Sequence, residues 1–274
     1  IHLEVATDLS TDAFLNCLRR FTSRRGLPHC IMSDNGTNFV GARNELGKLL
    51  RSSSHRDTVA QFLATEHIEW RLNPPHAPHF GGLWESGVKA MKYHLKRVIG
   101  DQRLTFKELY TLVTQIEACL NSRPLTPISL DTIDLNPLTP GHFLIGGALK
   151  AIPEHDLRDV GTNRLGRYQL LQQMFQHFWQ RWCREHLHQL QQRNKWRSDT
   201  SRNWKIDTMV VIKEDHLPPM RWRLGRITSL HPGEDGRTRV ASIKTTDGVI
   251  RRPVTRLCIL PIEGETDNDS PKDK

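Results

Sequence analysis

At Trp204 the spacing of the apolar residues changes, and with it the kind of fold the chain can adopt. Before Trp204 they recur at three- and four-residue steps in long runs, as helices require; after it they alternate in short runs, as half-buried strands do. A chain of 274 residues divided in this way holds two small domains, the first mixed α/β and the second all-β. Hydrophobic residues make up 37% and charged residues 25%, with 7 Trp and 9 Phe, so packed cores are expected despite a mean hydropathy of -0.54. No apolar run approaches the length of a membrane span, and the opening IHLEVATDL has neither a basic stretch nor an apolar one, so a soluble, intracellular protein without a signal peptide is expected. Cys17, Cys30, Cys119, Cys183 and Cys258 are scattered without a CxxC and read as reduced thiols.

The opening IHLEVA alternates like a strand, with no strand or turn before it, so the chain reads as starting in mid-domain. Ser10 or Thr11 can cap a helix with the stripe Phe14, Cys17, Leu18 and Phe21, closed by Gly26 and Pro28. Cys30-Ile31-Met32 reads as a buried strand entering Ser33-Asp34-Asn35-Gly36, and strand, helix, strand begins an α/β layer. Residues 41–64 read as helical with a break at Ser52-Ser53-Ser54-His55, residues 67–72 as a strand, and residues 73–82 as a Pro-, His- and Gly-rich loop of functional size. A helix is predicted from Leu83 to about Ile99, with Trp84, Val88, Met91, Leu95 and Val98 inward. A second opens on the capping box Thr105 to Glu108, buries Leu109, Val113, Ile116 and Leu120, and stops at Asn121-Ser122-Arg123-Pro124. Residues 125–160 are punctuated by Pro and Gly and read as a connecting arm. A Gln-rich helix follows from Tyr168 to Lys195 with Phe175, Phe178, Trp179, Trp182 and Leu190. Strands at 209–212, 221–227, 239–244 and 249–254, with Asp247-Gly248 as a hairpin signal, predict a small β-barrel. The expected division is 1–150, 151–200 and 201–262, with 263–274 a disordered acidic tail.

The charge is uneven. Residues 1–156 carry 17 basic and 16 acidic residues, residues 157–260 carry 20 and 9, and residues 261–274 carry 2 and 5. A basic half joined to a neutral one suits a polyanion-binding module, with nucleic acid the first candidate; a well-solvated basic surface explains the excess equally well.

Asp34 ends a strand and Glu85 lies in the first turn of a strong helix, and core packing asks for a carboxylate at neither. Two acids brought together from separate elements repel unless a hard divalent cation such as Mg²⁺ lies between them. Taken singly, Asp34 is a turn former and Glu85 a residue favoured by the helix dipole. Lys89, Lys92 and Lys96 follow Glu85 at +4, +7 and +11, on one helical face. One Glu-Lys pair is an ordinary solvated contact, whereas three lysines in register beyond a flexible loop favour DNA contact.

These residues carry a resemblance. Ser33-Asp34-Asn35-Gly36-Thr37-Asn38-Phe39, Asn73-Pro74 and Gly81-Gly82-Leu83-Trp84-Glu85 resemble the second and third acidic motifs of the retroviral and retrotransposon integrase core, an RNase H-like fold. Ala77-Pro78-His79-Phe80-Gly81-Gly82-Leu83-Trp84-Glu85, Asn121-Ser122-Arg123-Pro124-Leu125 and Leu138-Thr139-Pro140-Gly141-His142-Phe143-Leu144-Ile145-Gly146 are similar to polyproteins of BEL/Pao-class LTR retrotransposons. The resemblance implies an α/β fold: an RNase H-like integrase core, incomplete at its N-terminus, then a helical linker and a small SH3-like β-barrel. It implies Asp34 and Glu85 as catalytic, metal-binding carboxylates for Mg²⁺ or Mn²⁺, Thr37 facing target DNA, and Lys89 and Lys92 on the element's own DNA end. Two matches are lacking: the strand bearing the family's first catalytic aspartate, and the zinc-binding His-His-Cys-Cys domain that precedes such cores. Asp8 and Asp12 sit where helix capping accounts for them better than catalysis. Cys183, His186 and His188 place only two side chains on one helix face, without a fourth ligand for zinc.

In the C-terminal module Arg221, Arg223, Arg237, Arg239, Arg251 and Arg252 alternate with or flank apolar residues, so several are expected on one sheet face, touching phosphates without reading sequence. An idle basic barrel is the alternative. Two functions stay open: an integrase that processes 3′ ends and transfers strands, this chain being an incomplete catalytic fragment, or a non-catalytic DNA-binding or assembly fragment from a truncated or host-adopted copy. A free-standing RNase H-type nuclease fits the basic module poorly. Element ends and target DNA are the expected partners, in a homo-oligomer acting in the nucleus and not at a membrane.

Overall fold

The computed structural model describes residues 1–51, 69–73, 82–129, 131–191 and 204–261, those at 47–51, 82–86 and 90 by backbone alone. The expected helical break at 52–55, most of the 73–82 loop, the helix beyond Gln191 and the acidic tail lie outside the described residues. The chain forms two compact units: His2–Tyr93 with Thr105–Val113, and His94–Leu104 with Thr114–Lys274 and Ile1. Among the described residues no helix is long and apolar enough to cross a membrane.

The N-terminal unit is built on an α/β layer, as the pattern predicts. Helix α1 (Thr11–Arg25) is capped by Ser10, whose hydroxyl accepts from the Ala13 amide, and ends at Gly26 with φ 83°. Asp8 accepts from the Ser10 amide at 2.7 Å, so this acid serves the turn before the cap. Strand β1 (Cys30–Ser33) pairs in parallel with β2 (Glu69–Leu72), and α2 (Thr37–Arg51) follows β1. Helix α2 starts at Thr37 rather than at residue 41, because the Gly36 carbonyl already accepts from the Phe39 and Val40 amides. Phe14 of α1 packs edge-on against Phe39 of α2 at 4.8 Å and tilts against Trp70 of β2 at 5.8 Å. Gly41 of α2 lies so close to Thr11 that a Cβ there would collide with the threonine side chain.

Two expectations fail in this unit. IHLEVA forms no strand, for no described strand offers it a ladder; its ordered features are the buried Leu3 and the Glu4 carboxylate, which takes Arg20 at 2.8 Å and Arg24 at 2.9 Å. Strand β1 is half-buried: Met32 is 51% exposed, since its side of the pleat has no layer over it among the described residues.

Helix α3 (Gly82–Ile99) and helix α4 (Phe106–Asn121) appear where the apolar spacing puts them. The α4 capping box is formed, with the Thr105 amide donating to Glu108 Oε2 at 2.7 Å and the Glu108 amide to Thr105 Oγ1 at 3.3 Å. The inward side of α3 is set by Met91 and His94 rather than by Val88, which is exposed. His94 is buried edge-on against Phe178, 3.0 Å from Glu185; burial lowers its pKa, and Glu185 opposes the shift.

In the C-terminal unit residues 125–160 are more than an arm. Strands β3 (Thr126–Pro127) and β4 (Pro137–Leu138) pair antiparallel, and α5 (Pro140–Ile145) begins at Thr139, whose amide donates to His142 Nδ1. Helix α6 (Arg167–Leu190) explains its own glutamines: Gln173 donates to the Leu157 and Val160 carbonyls, and Gln176 exchanges hydrogen bonds with the backbone of His155 and Leu157. These buried amides satisfy an irregular backbone that has no ladder.

The C-terminal strands are β5 (Met209–Ile212), β6 (Leu224–Pro232), β7 (Thr238–Thr245), β8 (Gly248–Pro253) and β9 (Leu257–Ile259), in the sheet order β8-β7-β6-β5-β9. The sheet is open and not the closed barrel expected, because no ladder joins its edges β8 and β9. The β7–β8 hairpin pairs Thr245 with Gly248, so Thr246 and Asp247 form its two-residue loop. All four residues of β5 are buried, since both of its faces are covered. Leu187 of α6 packs on Met209, Val211, Cys258 and Leu260, while Val210 and Ile212 join Ile227, Ala241, Ile243 and Leu257 on the other side. Burial raises the Cys183 thiol to about 12 and the Cys258 thiol to about 11, so both stay protonated.

Trp222 fastens α6 to the sheet. It meets Trp179 edge-on at 4.9 Å, donates from Nε1 to Ser122 Oγ at 3.2 Å, and lies 5.9 Å from His186, whose ring stacks at 7° on Trp182. Burial, reinforced by Arg123, lowers His186 from 6.5 to about 4. The folded state therefore holds this histidine neutral at pH values where the unfolded chain already binds a proton. The stability involved is complete above about pH 6.5 and lost as the pH falls toward and below 4, roughly 3 kcal/mol in all. Urea melts between pH 7 and pH 4 should show this decline, and His186→Phe should flatten it in part, His94 and His177 being shifted the same way. An unchanged pH dependence in His186→Phe would refute the assignment.

Candidate nucleic-acid interface

Asp34 stands at the carboxyl end of the parallel pair β1–β2, where open α/β sheets present their ligand sites. The Asn73 amide donates to the Ser33 carbonyl at 2.8 Å, the Asn35 side chain donates to the Asn73 carbonyl at 2.7 Å, and Trp70 Nε1 donates to Ser33 Oγ at 3.0 Å. These bonds hold the strand ends together beneath the acid. Asp34 Oδ1 accepts from the Gly36 amide at 2.9 Å, and a Cβ on Gly36 would crowd Asn38 Oδ1 and Asp34 Oδ1, so a larger residue there would make the Asn38 side chain shift. The carboxylate is exposed, and no described donor reaches Oδ2. Such an acid offers a hard oxygen ligand to a divalent cation that retains much of its water.

Thr37 is exposed and opens α2, whose first amides lack intrahelical partners and favour anionic groups. Glu85 falls in the first turn of α3, and its side chain lies outside the described residues. Among the described residues no three His, Cys, Asp or Glu side chains gather as a metal-holding group. Asn35, Asn73 and Trp70 brace the acid; Asn35 and Asn73 fall within the motifs Ser33 to Phe39 and Asn73-Pro74, whereas no sequence signal marks Trp70.

Lys89, Lys92 and Lys96 are all exposed on one side of α3, away from Met91 and His94. None of the three pairs with a described acid, so their charge is available.

The arginines of the C-terminal sheet divide. Arg223 binds Glu214 at 2.9 Å and Asp247 at 3.3 Å, Arg252 lies 3.6 Å from Glu214, and Arg239 binds Asp235 at 2.6 Å. Arg221, Arg237 and Arg251 have no ion pair among the described residues, and Arg221 and Arg237 lie outside the strands. Neighbours on β8 point oppositely, so Arg251 and Arg252 occupy different faces. The expectation of one arginine-studded face is therefore corrected: Arg251 shares its face with Lys244, two residues along β7 from its partner Ser242. Lys244 is exposed and was missed, although its alternation with Ser242 in β7 was visible. Arg226 is a buried structural cation, donating to the carbonyls of Ser129, Asp134 and Asp207.

Residues 166–260 match a family model described as a family of unknown function (DUF5641). The match begins at the Gly166 cap of α6 and ends just after β9, so it takes the helix and the sheet together. No curated protein matches the chain.

The geometry at Asp34 generates a direct test. Mn²⁺ added to the protein should broaden the Gly36 and Thr37 amide resonances, and Asp34→Asn should abolish that broadening without altering the melting temperature by more than a degree or two. Equal broadening in the variant would remove Asp34 as a ligand.

Proposed function

We propose that the chain is the DNA-handling part of a BEL/Pao-type retroelement integrase, with an RNase H-like core and an SH3-like C-terminal module. The observation that carries the reading is the exposed Asp34 carboxylate at the carboxyl end of a parallel strand pair, one turn before a helix. Asp34 and Glu85 would hold Mg²⁺, or Mn²⁺ in its place. The metal, when bound, supplies charge stabilisation for the oxygens exchanged at a phosphodiester. Thr37, at the exposed start of α2, faces target DNA. Lys89, Lys92 and Lys96 hold the backbone of the element's DNA end, and Lys244, Arg251, Arg221 and Arg237 hold flanking phosphates without regard to sequence. Arg223, Arg239 and Arg252 serve this role only by exchanging a carboxylate for a phosphate. Two DNA ends joined in one reaction call for a homo-oligomer, working on chromosomal DNA in the nucleus.

Binding to end-mimicking DNA across a salt series tests the proposal. The Lys89→Glu/Lys92→Glu variant should bind at least tenfold more weakly, and its log-log salt slope should fall by about 2, close to one for each phosphate that is no longer neutralised. The Arg19→Glu/Arg43→Glu variant carries the same charge change on exposed positions of α1 and α2 and should be weakened much less. Helix stability should move by only a few tenths of a kcal/mol. Equal weakening of the two variants, with unchanged melting, would reduce the lysine face to ordinary solvated charge.

A further inference from the structure

A concavity lies in the N-terminal unit, bounded by α1, the start of α4 and the segment before α1. Its volume is about 380 Å³, within the range of small-ligand sites. Arg20 and Arg24 enter it from α1, one turn apart. Both bind the single Glu4 carboxylate, Arg20 through Nε at 2.8 Å and Arg24 through Nη1 at 2.9 Å, so two cations share one anion and the wall stays positive. Arg24 Nη2 also donates to the Tyr110 hydroxyl at 2.8 Å, which fixes its guanidinium plane. Across from the arginines Phe106 and Tyr110 lie one helical turn apart with their rings 6.2 Å apart and nearly parallel, at 8°. Phe106 is 55% exposed despite being a large apolar ring at the first position of a helix. Asn16 adds an amide to the rim.

Each half of this wall selects a chemistry. Paired guanidinium groups match the oxygens of a phosphate better than a single ammonium can. An exposed ring backed by a parallel one offers a stacking surface to any flat heterocycle, as proteins that hold single-stranded nucleic acid do. We infer that this pocket binds one nucleotide unit, its phosphate on Arg20 and Arg24 and its base against Phe106. The site is separate from Asp34 and from the lysine face of α3, and it does not rest on the integrase reading.

Calorimetric titration of the full chain with deoxyadenosine 5′-monophosphate, deoxyadenosine and inorganic phosphate tests it. Saturable binding is expected for the nucleotide, at least tenfold tighter than for either part alone. Phe106→Ala should weaken it about tenfold, which is the effect of losing one stacked base. Arg20→Gln should weaken it comparably, and Arg20→Lys should recover only part. If Arg20→Gln melts early, Phe106→Ala decides alone, since an exposed first-turn residue is dispensable to the fold. A deoxyadenosine tetranucleotide that binds far tighter than the monomer makes the occupant a nucleic-acid strand, and equal affinities make it a free nucleotide. Lys89→Glu/Lys92→Glu should leave mononucleotide binding intact. No saturable binding, equal binding of inorganic phosphate, or indifference to Phe106→Ala would each overturn the inference.

Discussion

Everything in the C-terminal unit depends on how α6 covers the open sheet. An uncovered face would leave Met209, Val211, Cys258 and Leu260 in water, and at about 25 cal/mol per Å² of apolar surface those side chains represent several kcal/mol. Leu187 and the Trp179, Trp182 and Trp222 cluster close that face, and Trp222 also reaches Ser122 at the end of α4. Arg226 completes the arrangement from within the sheet. Its buried guanidinium has no carboxylate among the described residues and is satisfied by the backbone carbonyls of Ser129, Asp134 and Asp207. Removing it would strand several buried acceptors at once, which is the costly way to lose a hydrogen-bond network. Helix α6 and the sheet share one packed core, and the family match over residues 166–260 spans both.

With the core covered in this way, charge on the surface is free to be distributed for other ends. The sheet retains Arg251 and Lys244 on one face while Glu214, Asp215, Asp235 and Asp247 engage Arg223, Arg252, Arg256 and Arg239 elsewhere. A net positive block is therefore a weaker guide than a map of which cations are already paired. The N-terminal unit shows the same principle in reverse: its net charge is slight, yet its stretch of α3 carries Lys89 and Lys92, which no described acid engages, and the α1 pocket holds two arginines on one carboxylate.

Periodic features were readable from the sequence, and features that depend on partners were not. The Ser10 cap, the Thr105 to Glu108 box and the strands at 209–212, 238–245 and 248–253 follow from local chemistry, which acts within a few residues, and formed; the strand read at 221–227 starts at Leu224, and β9 had no sequence signal. IHLEVA alternates as a strand should, but alternation cannot provide the neighbouring ladder that a strand needs. Closure of the C-terminal sheet failed for the same reason, since pairing of distant edges has no local signal. The short helix at Thr139 was hidden by Pro140, which reads as a breaker although it is well placed at a first helical position. At the site, Asp34 was legible because an acid ending a strand is conspicuous. The bracing roles of Asn35, Asn73 and Trp70 were obscure because they arise from hydrogen bonds between β1 and β2. The pairing state of each arginine was equally invisible, because Glu214 lies nine residues from Arg223 and 38 residues from Arg252 in the chain.

On the proposed function, separate charged surfaces of this chain grip DNA at defined places. Hydrogen exchange of the full chain, free and bound to a branched DNA that mimics an element end joined to its target, tests it most directly. Exchange should slow at residues 34–40, along α3 around Lys89 and Lys92, and at β7–β8 around Lys244 and Arg251. Protection spread evenly over every basic segment, or absent from residues 34–40 and α3 while binding persists, would contradict it.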